Sequence, residues 1–377
     1  MTSTQPPMIV GAGPVGLAAA LFLARAGRHV RIVEERAEPS THSKALAINP
    51  RTLDLLEPTG ITARMLEIGT PIWGVHLHRG AKRIAAVSLA GIHPRYPHML
   101  ALSQATTERL LEEALEREGG RVERGTKLVD CRNAGAHVEL TLEHAQGERS
   151  HAQAPWMLAA DGAHSTARHA LAVDFPGATF PDQWHLADAP LRTNHDPHLA
   201  HVFFLPRGEF LFLLRVVDPA YERVGVVWRV MGNRPDPLSR LVGAEASGQP
   251  VWESSFHVAH RLASNMTRGG VFLAGDAAHI HSPVGARGMN LGIEDAWVFA
   301  TLAEADRLGE YERLRRPVDA GVVRSVELVS KIASGESAMF RVIRRFVLPL
   351  AIRLAFVRRR ALATVAGLDH PLPRISA

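Results

Sequence analysis

Three apolar residues, Met8-Ile9-Val10, run directly into Gly11-Ala12-Gly13-Pro14-Val15-Gly16, and small and apolar residues then repeat at helical spacing from Pro14 to Ala26, up to Gly27. A Gly-x-Gly-x-x-Gly turn between a strand and a helix is compatible with few folds. The chain must turn tightly there, approach a neighbouring backbone closely and present helix N–H groups to an anion such as a pyrophosphate. His29 to Glu34 reads as the next strand, and Glu34 stands at its end, where a carboxylate accepts hydrogen bonds from a ribose. The expectation is an α/β, Rossmann-like domain that holds a dinucleotide, and the carboxylate argues against a 2′-phosphate at that position.

Two further segments place acids at the ends of strands. Trp156 to Ala160 is an apolar strand followed by Asp161-Gly162-Ala163-His164-Ser165-Thr166-Ala167-Arg168; Val271 to Ala274 is another, followed by Gly275-Asp276-Ala277-Ala278-His279. The carboxyl edge of a parallel sheet is where ligands gather. The second segment continues through Pro283-Val284-Gly285-Ala286-Arg287-Gly288-Met289-Asn290 into a helix expected over Leu291–Ala303. Unpaired N–H groups at that helix start would face the ligand, and glycines 285, 288 and 292 suit close approach to a flat one.

Between these landmarks, Arg51–Glu57 and Thr107–Glu118 read as helices, the latter with Leu110, Leu111, Ala114 and Leu115 on one face and Thr106 or Thr107 as its cap. Lys127 to Ala160 alternates as a small antiparallel meander. Ile72–Leu89 and His201–Val230 are rich in β-formers and are assigned to a second sheet with one face lining a cavity. Phe203, Phe212 and Trp228 are candidates for its wall, alongside Phe204 and Phe210. The division expected is residues 1–72, 99–175 and 262–335 for the cofactor domain, 73–98 and 176–261 for an interleaved mixed β-sheet substrate domain, and 336–377 for a C-terminal helical segment.

Composition removes several function classes. The single cysteine, Cys131, can form neither an internal disulfide nor a multi-thiolate metal site, which fits a reducing, cytoplasmic setting. The net charge of +5 is concentrated in seven arginines between Ser337 and Leu368, a stretch without acids. The high isoelectric point therefore belongs to the C-terminal segment and not to a nucleic-acid-reading face. Pro349 is expected to divide that segment into two helices. They are too charged to span a bilayer, and are read as packed on the cofactor domain, with contact to an anionic membrane surface as the other reading. His76 and His78 alternate on one strand face, but no third ligand of matching spacing follows, so no metal is expected.

The three motifs, in this order, resemble the class A flavoprotein monooxygenases, the family of para-hydroxybenzoate hydroxylase and the polyketide aromatic hydroxylases, over roughly residues 8–310. The resemblance implies a glutathione-reductase-type FAD-binding domain. Gly11, Gly13, Pro14, Val15, Gly16 and Glu34 would hold the ADP half of FAD, Asp161 would be shared between FAD and NAD(P)H, and Gly275 and Asp276 would hold the ribitol and pyrophosphate. Pro283, Gly285, Gly288, Met289 and Asn290 would flank the isoalloxazine, and Gln104 resembles the family's flavin-contacting glutamine. Ser43-Lys44-Ala45 and Asn49-Pro50-Arg51-Thr52-Leu53 resemble its Arg-Ala…Pro-Arg-Thr-Leu segment, with Lys44 in place of the usual arginine and hence without a bidentate fork. A second departure puts Glu35 where a basic residue is common, with Arg36 next.

The implied reaction is reduction of FAD by NAD(P)H, addition of O2 at flavin C4a, and hydroxylation of an electron-rich small molecule by the resulting hydroperoxide in a dry cavity. The sequence names no catalytic base: there are three tyrosines, and His185, His195, His201 and His257 in the substrate region read as surface or packing residues. The alternatives are a flavin-dependent reductase or oxidase on the same scaffold, or a non-catalytic protein that retains FAD or a product. A halogenase is disfavoured by the absence of a Trp-x-Trp-x-Ile-Pro segment. Substrate, NADH or NADPH, and monomer or homodimer stay open.

Overall fold

In the computed structural model, which describes residues 5–41, 45–335 and 337–375 and the side chains of all of these except 181, 182 and 349, the central sheet has six strands. Their order is Thr267–Arg268, Val271–Leu273, Met157–Ala159, Met8–Val10, Arg31–Glu34 and Val122–Arg124, parallel except at the first edge. Strands Met8–Val10, Met157–Ala159 and Val271–Leu273 are buried throughout, as continuous apolar runs covered on both faces should be. Because they are adjacent and parallel, the three segments that follow them emerge at the same edge of the sheet.

Helix Pro14–Arg25 packs on this sheet and against helix Gly288–Glu304 through residues with little side chain. A Cβ at Gly292 would lie 2.5 Å from Val15 Cγ2, so the two helix starts approach only because no side chain separates them. Helix Gln104–Arg117 begins three residues before the sequence-based expectation. Its cap is Ser103, whose hydroxyl accepts a hydrogen bond from Thr106 N at 3.1 Å, and this puts Gln104 in the first turn. A three-stranded antiparallel meander, Thr126–Asn133, Val138–His144 and Arg149–Ala154, leads back to the central sheet as the alternation predicts.

A second sheet of nine strands crosses in front of the first. Its path runs His279–Ile280, Trp252–Leu262, Gly177–Thr193, Val227–Gly232, Phe210–Arg215, Leu199–Phe204, Gly74–Arg79 and Lys82–Ser88, with Ala244–Ala246 paired to Gly177–Thr193. Residues 74–88 join this sheet at one edge, beside Leu199–Phe204, as the two β-rich stretches of the sequence anticipate. The parallel pair Gly74–Arg79 and Leu199–Phe204 puts His76 opposite His201.

The C-terminal segment differs from the expected two helices divided at Pro349. Short helical turns at Ala338–Val342, Ile343–Val347 and Leu348–Ala351 precede a break, and helix Ala355–Ala366 follows. Pro349 falls in a first helical turn, where its missing N–H costs nothing, so the break comes after it. Phe346, Leu350 and Phe356 are exposed among the arginines. No helix among the described residues is long and apolar enough to cross a membrane.

Candidate active site

The strand ends and the second sheet enclose one cavity of about 1750 Å³. Its wall includes Gly11, Gly13, Pro14, Val15, Glu34, Gln104, Asp161, Asp276, Pro283, Gly285, Gly288 and Met289, residues drawn from five separate parts of the chain. Gly16, Gly275 and Asn290 stand just behind that wall, and Lys44 lies outside the described residues.

The three glycines of the first turn have different tasks. A Cβ at Gly16 would come 1.8 Å from Gly11 O, and one at Gly11, where φ is +97°, would come 2.3 Å from Ala160 O. Both positions are closed by backbone. A Cβ at Gly13 would meet no protein atom within 4 Å, so its bareness leaves room on the cavity side, where a pyrophosphate would approach the start of helix Pro14–Arg25.

Glu34 is buried and oriented by three donors: Ala12 N at 2.7 Å to Oε2, and Arg36 N and Nε at 3.1 and 2.9 Å to Oε1. Burial alone would raise its carboxyl, but the hydrogen bonds from Arg36 and Ala12 outweigh it and hold the group below the ordinary carboxylate range. Of roughly four lone-pair positions on a carboxylate, the remaining one is left for a hydroxyl. Arg36, a candidate only from sequence, thus belongs to this end of the cavity. So does Glu108, which sequence reading passed over: it accepts from Gln104 Nε2 at 2.8 Å and is raised by burial.

Asp161 has its Oδ2 held by Ala167 N at 3.1 Å, while its buried Oδ1 has no partner, and burial raises the group. An unsatisfied buried carboxylate oxygen on a cavity wall is costly until a ligand hydroxyl donates to it. Arg168 explains the fixed offset of its motif. The guanidinium donates to Ala277 O at 3.0 Å and Ala163 O at 2.8 Å, tying the Asp161 segment to the Asp276 segment. Asp276 itself presents an exposed carboxylate to the cavity.

Asn290 positions the loop ahead of it. Its Oδ1 accepts from Asn49 N at 2.9 Å and its Nδ2 donates to Ala47 O at 2.9 Å and Ala286 O at 2.6 Å. Helix Gly288–Glu304 has no side-chain cap, which leaves its first-turn N–H groups for a ligand above Gly288 and Met289. Beneath Gly275 lies a fully buried set: Asp295 Oδ2 accepts from Gly275 N at 3.0 Å and contacts His279 Nε2 at 2.7 Å, and Arg315 bonds Asp295, Asp319 and Glu294. The charged partners here had no signal in the linear sequence.

The wall supplied by the second sheet is mainly apolar. Val75, Leu77, Ala200, Val202, Phe204, Phe210, Phe212, Leu214 and Met231 come from alternate positions of four strands. Phe212 therefore faces the cavity, and so do Phe204 and Phe210. Phe203 and Trp228 do not. The pleat turns them to the opposite face, where they are buried with Leu211, Leu213 and Val230. Arg229 is the cavity's buried cation from this sheet, held bidentate by Asp188 at 2.7 and 2.7 Å and lying 4.9 Å over the Trp252 ring. Of the four histidines singled out, His257 borders the cavity, His185 contacts Ser255 Oγ at the surface, and His195 and His201 pack with Phe203 on the far face.

The far wall is built from the C-terminal segment. Leu362, Val365 and Ala286 pack against the buried cluster that contains Leu46, and Ile352, Arg360 and Thr364 also border the cavity. Arg51 donates to Gly367 O at 3.0 Å and His370 O at 2.6 Å, and buried Arg287 pairs with Asp369 at 3.3 Å. Residues 348–370 are thereby part of the site and not an appendage.

Comparison with known proteins agrees with this geometry. The model of the FAD binding domain family matches residues 5–326. The chain is 32% identical to 6-methylpretetramide 4-monooxygenase of Streptomyces rimosus, over 97% of this chain and 70% of that protein. It is 27% identical to pentachlorophenol 4-monooxygenase of Sphingobium chlorophenolicum, over 87% of this chain and 65% of that protein. Among solved structures, CabE, an aromatic hydroxylase from angucycline biosynthesis, aligns with a TM-score of 0.77 at 26% identity, covering 97% of this chain and 76% of that one. The p-nitrophenol 4-monooxygenase PnpA of Pseudomonas putida DLL-E4 shares the fold, with a TM-score of 0.84 at 23% identity over 97% of this chain and 98% of that one. The chain belongs to the FAD-binding domain family, within the class A flavin-dependent monooxygenases.

Proposed function

We propose that the protein hydroxylates an apolar aromatic or similarly electron-rich small molecule, held against Phe204, Phe210, Phe212 and Met231, beside an FAD gripped by the three strand-end motifs. The supporting observation is that Glu34, Asp161, Asp276 and the Pro283–Met289 loop border the same cavity as the apolar face of the second sheet. A pocket for one drug-sized ligand measures roughly 300–1,000 Å³. A cavity of about 1750 Å³ has room for a dinucleotide and a second molecule.

In this reading residues 1–72, 99–175 and 262–335 serve the cofactor, 73–98 and 176–261 serve the substrate, and 336–377 closes the site. Bound FAD, with NAD(P)H and O2 as co-substrates, supplies the redox chemistry and the oxygen atom. The protein's residues bind, orient and exclude water. Glu34 would take a ribose hydroxyl, Asp276 a hydroxyl of the ribitol chain, Asp161 Oδ1 a further ligand hydroxyl, and the open side of Gly13 would admit the pyrophosphate. The uncapped start of helix Gly288–Glu304 would stabilise negative charge on a flavin bound above it.

Purified protein should be yellow, should oxidise NAD(P)H faster in the presence of a hydrophobic phenol panel, and should place label from 18O2 in the product. Protein that cannot take up FAD, or that turns over NAD(P)H with no oxygen incorporated into any compound of the panel, contradicts this assignment.

A further inference from the structure

On the face of the second sheet that points away from the cavity, three imidazoles meet. His76 and His78 are two residues apart on strand Gly74–Arg79, and His201 is the register partner of His76 on the adjoining parallel strand Leu199–Phe204. The sequence shows only the first pair; the third partner is 123 residues further on and arrives by strand pairing. One ring nitrogen from each lies within 4.8 Å of the others. His78 and His201 are buried and His76 half-buried.

The spacing matches a coordination sphere. Zinc–imidazole bonds of about 2.0–2.1 Å in a tetrahedron put ligating nitrogens about 3.3 Å apart. His78 Nε2 and His201 Nδ1 stand at 3.3 Å. The other ring nitrogen of His201 contacts Asp196 O at 3.1 Å, so a backbone carbonyl fixes the tautomer that leaves Nδ1 with its lone pair, the outer arrangement typical of a metal-bound histidine. His78 is further fixed by stacking on Phe203, with ring centroids 4.6 Å apart. Arg83 and Asp196 are the nearby charges acting on His76, and they oppose each other.

The second buried cluster of this type, His279, Asp295 and Asp319, is different because its cation is already present: Arg315 bonds both carboxylates. Among the described residues no cation bonds the rings of His76, His78 and His201, although Arg83 is the cross-strand partner of His78, and three imidazoles form a donor set that suits zinc.

We propose that His76, His78 and His201 bind one divalent transition-metal ion of the zinc type, with water or His195 in the fourth position. The His195 ring centroid is 4.7 Å from that of His201. The ion clamps strand Gly74–Arg79 to strand Leu199–Phe204, whose opposite faces supply Val75, Leu77, Ala200, Val202 and Phe204 to the cavity wall. It stiffens that wall and takes no part in the redox chemistry.

The test uses tag-free, FAD-loaded protein stripped with a chelator, titrated with Zn2+ against a fluorescent competitor, and examined with Co2+ by visible absorption beyond the flavin bands. The expected result is one equivalent of zinc, a tetrahedral Co2+ spectrum and a higher thermal midpoint with metal. His78→Phe, which keeps the stack on Phe203, and His76→Ala, at a half-exposed position, should each lose the tight equivalent and the thermal shift while keeping flavin content and NAD(P)H oxidation. Absence of a tight equivalent in the wild type, or its retention in either folded variant, overturns the proposal.

Discussion

His279 Nε2 lies 2.7 Å from Asp295 Oδ2, and the same carboxylate oxygen accepts the Gly275 N–H at 3.0 Å, so one buried acid fixes both ends of the Gly275–His279 loop. Its other oxygen accepts from Arg315 Nε at 2.7 Å. Asp295→Asn removes the charge that both His279 and Arg315 face. Breaking a buried charge pair from one side costs about 3–5 kcal/mol. We expect a lower thermal midpoint together with weaker FAD retention, measured by melting and by flavin fluorescence on dilution, because the loop that loosens carries Asp276.

The same network sets a pH limit. Burial opposes charging His279, but Asp295 and Asp319 more than compensate and push it up to about 9, from an ordinary 6.5. Asp319 is pushed by burial and by Asp295 up to about 7, from 3.8. Both groups hold protons more tightly in the folded state, so both contribute stability that is present at low pH and lost as pH rises, for Asp319 through about 7 and for His279 through about 9. Denaturant midpoints should therefore fall between neutral pH and pH about 9, and His279→Gln should flatten the upper part of that decline. A midpoint that rises over this interval contradicts the assignment.

The glycines of the first turn allow folding and cofactor binding to be separated. Gly16→Ala drives a methyl to within 1.8 Å of Gly11 O and should give little folded protein. Gly13→Ala meets no protein atom within 4 Å and should fold with an unchanged far-ultraviolet spectrum. It should nonetheless be recovered nearly colourless, with FAD affinity reduced at least about tenfold, equivalent to about 1.4 kcal/mol. Equal FAD affinity in wild type and Gly13→Ala would mean that the pyrophosphate lies elsewhere.

Much of the cofactor half was legible because its signals are local. Strand, glycine turn, helix and terminal acid follow one another within residues 8–34, and parallel pairing of three buried strands brings Asp161 and Asp276 to the same edge. The substrate wall was harder to read. Phe203 and Phe212 belong to continuous apolar runs with no polar alternation to mark the faces, since both faces of that sheet are buried. Register decides: Phe203 pairs with Leu211 and Val202 with Phe212, which puts the two phenylalanines on opposite sides. The links from Arg51 and Arg287 to residues 367–370, and from His76 to His201, span too much chain for spacing to reveal them.

That division has a measurable consequence. Phe212→Ala enlarges the cavity, so it should raise KM for an aromatic substrate several-fold and leave the thermal midpoint close to wild type. Phe203→Ala empties a site that is 1% exposed and should cost about 3–5 kcal/mol of stability, with the substrate preference retained. Kinetics on a small panel, beside thermal melts, distinguish the two; the opposite pattern would mean that the sheet faces are exchanged.

Gly367 is where the C-terminal segment meets the loop expected to flank the flavin. Its φ is +78°, and a Cβ there would lie 2.8 Å from Arg51 Cβ and 2.9 Å from both Arg287 Nη1 and Asn49 Nδ2. Gly367→Ala is thus strained in its backbone and presses on the two arginines that hold residues 367–370, and on Asn49, whose backbone N–H is bound by Asn290. The first-turn glycines and Glu34 are remote in sequence and bonding from this contact, so FAD should still bind. Closure of the cavity should suffer, because helix Ala355–Ala366 ends at this glycine and supplies Leu362 and Val365 to the wall. Admitting water to such a site diverts reducing equivalents from substrate. The expected outcome is flavin content near wild type, NAD(P)H oxidation within about twofold, and a several-fold larger share of it ending as hydrogen peroxide, read by a peroxidase-coupled assay. Wild-type coupling in a folded Gly367→Ala protein would show that residues 348–370 merely rest on the site without sealing it.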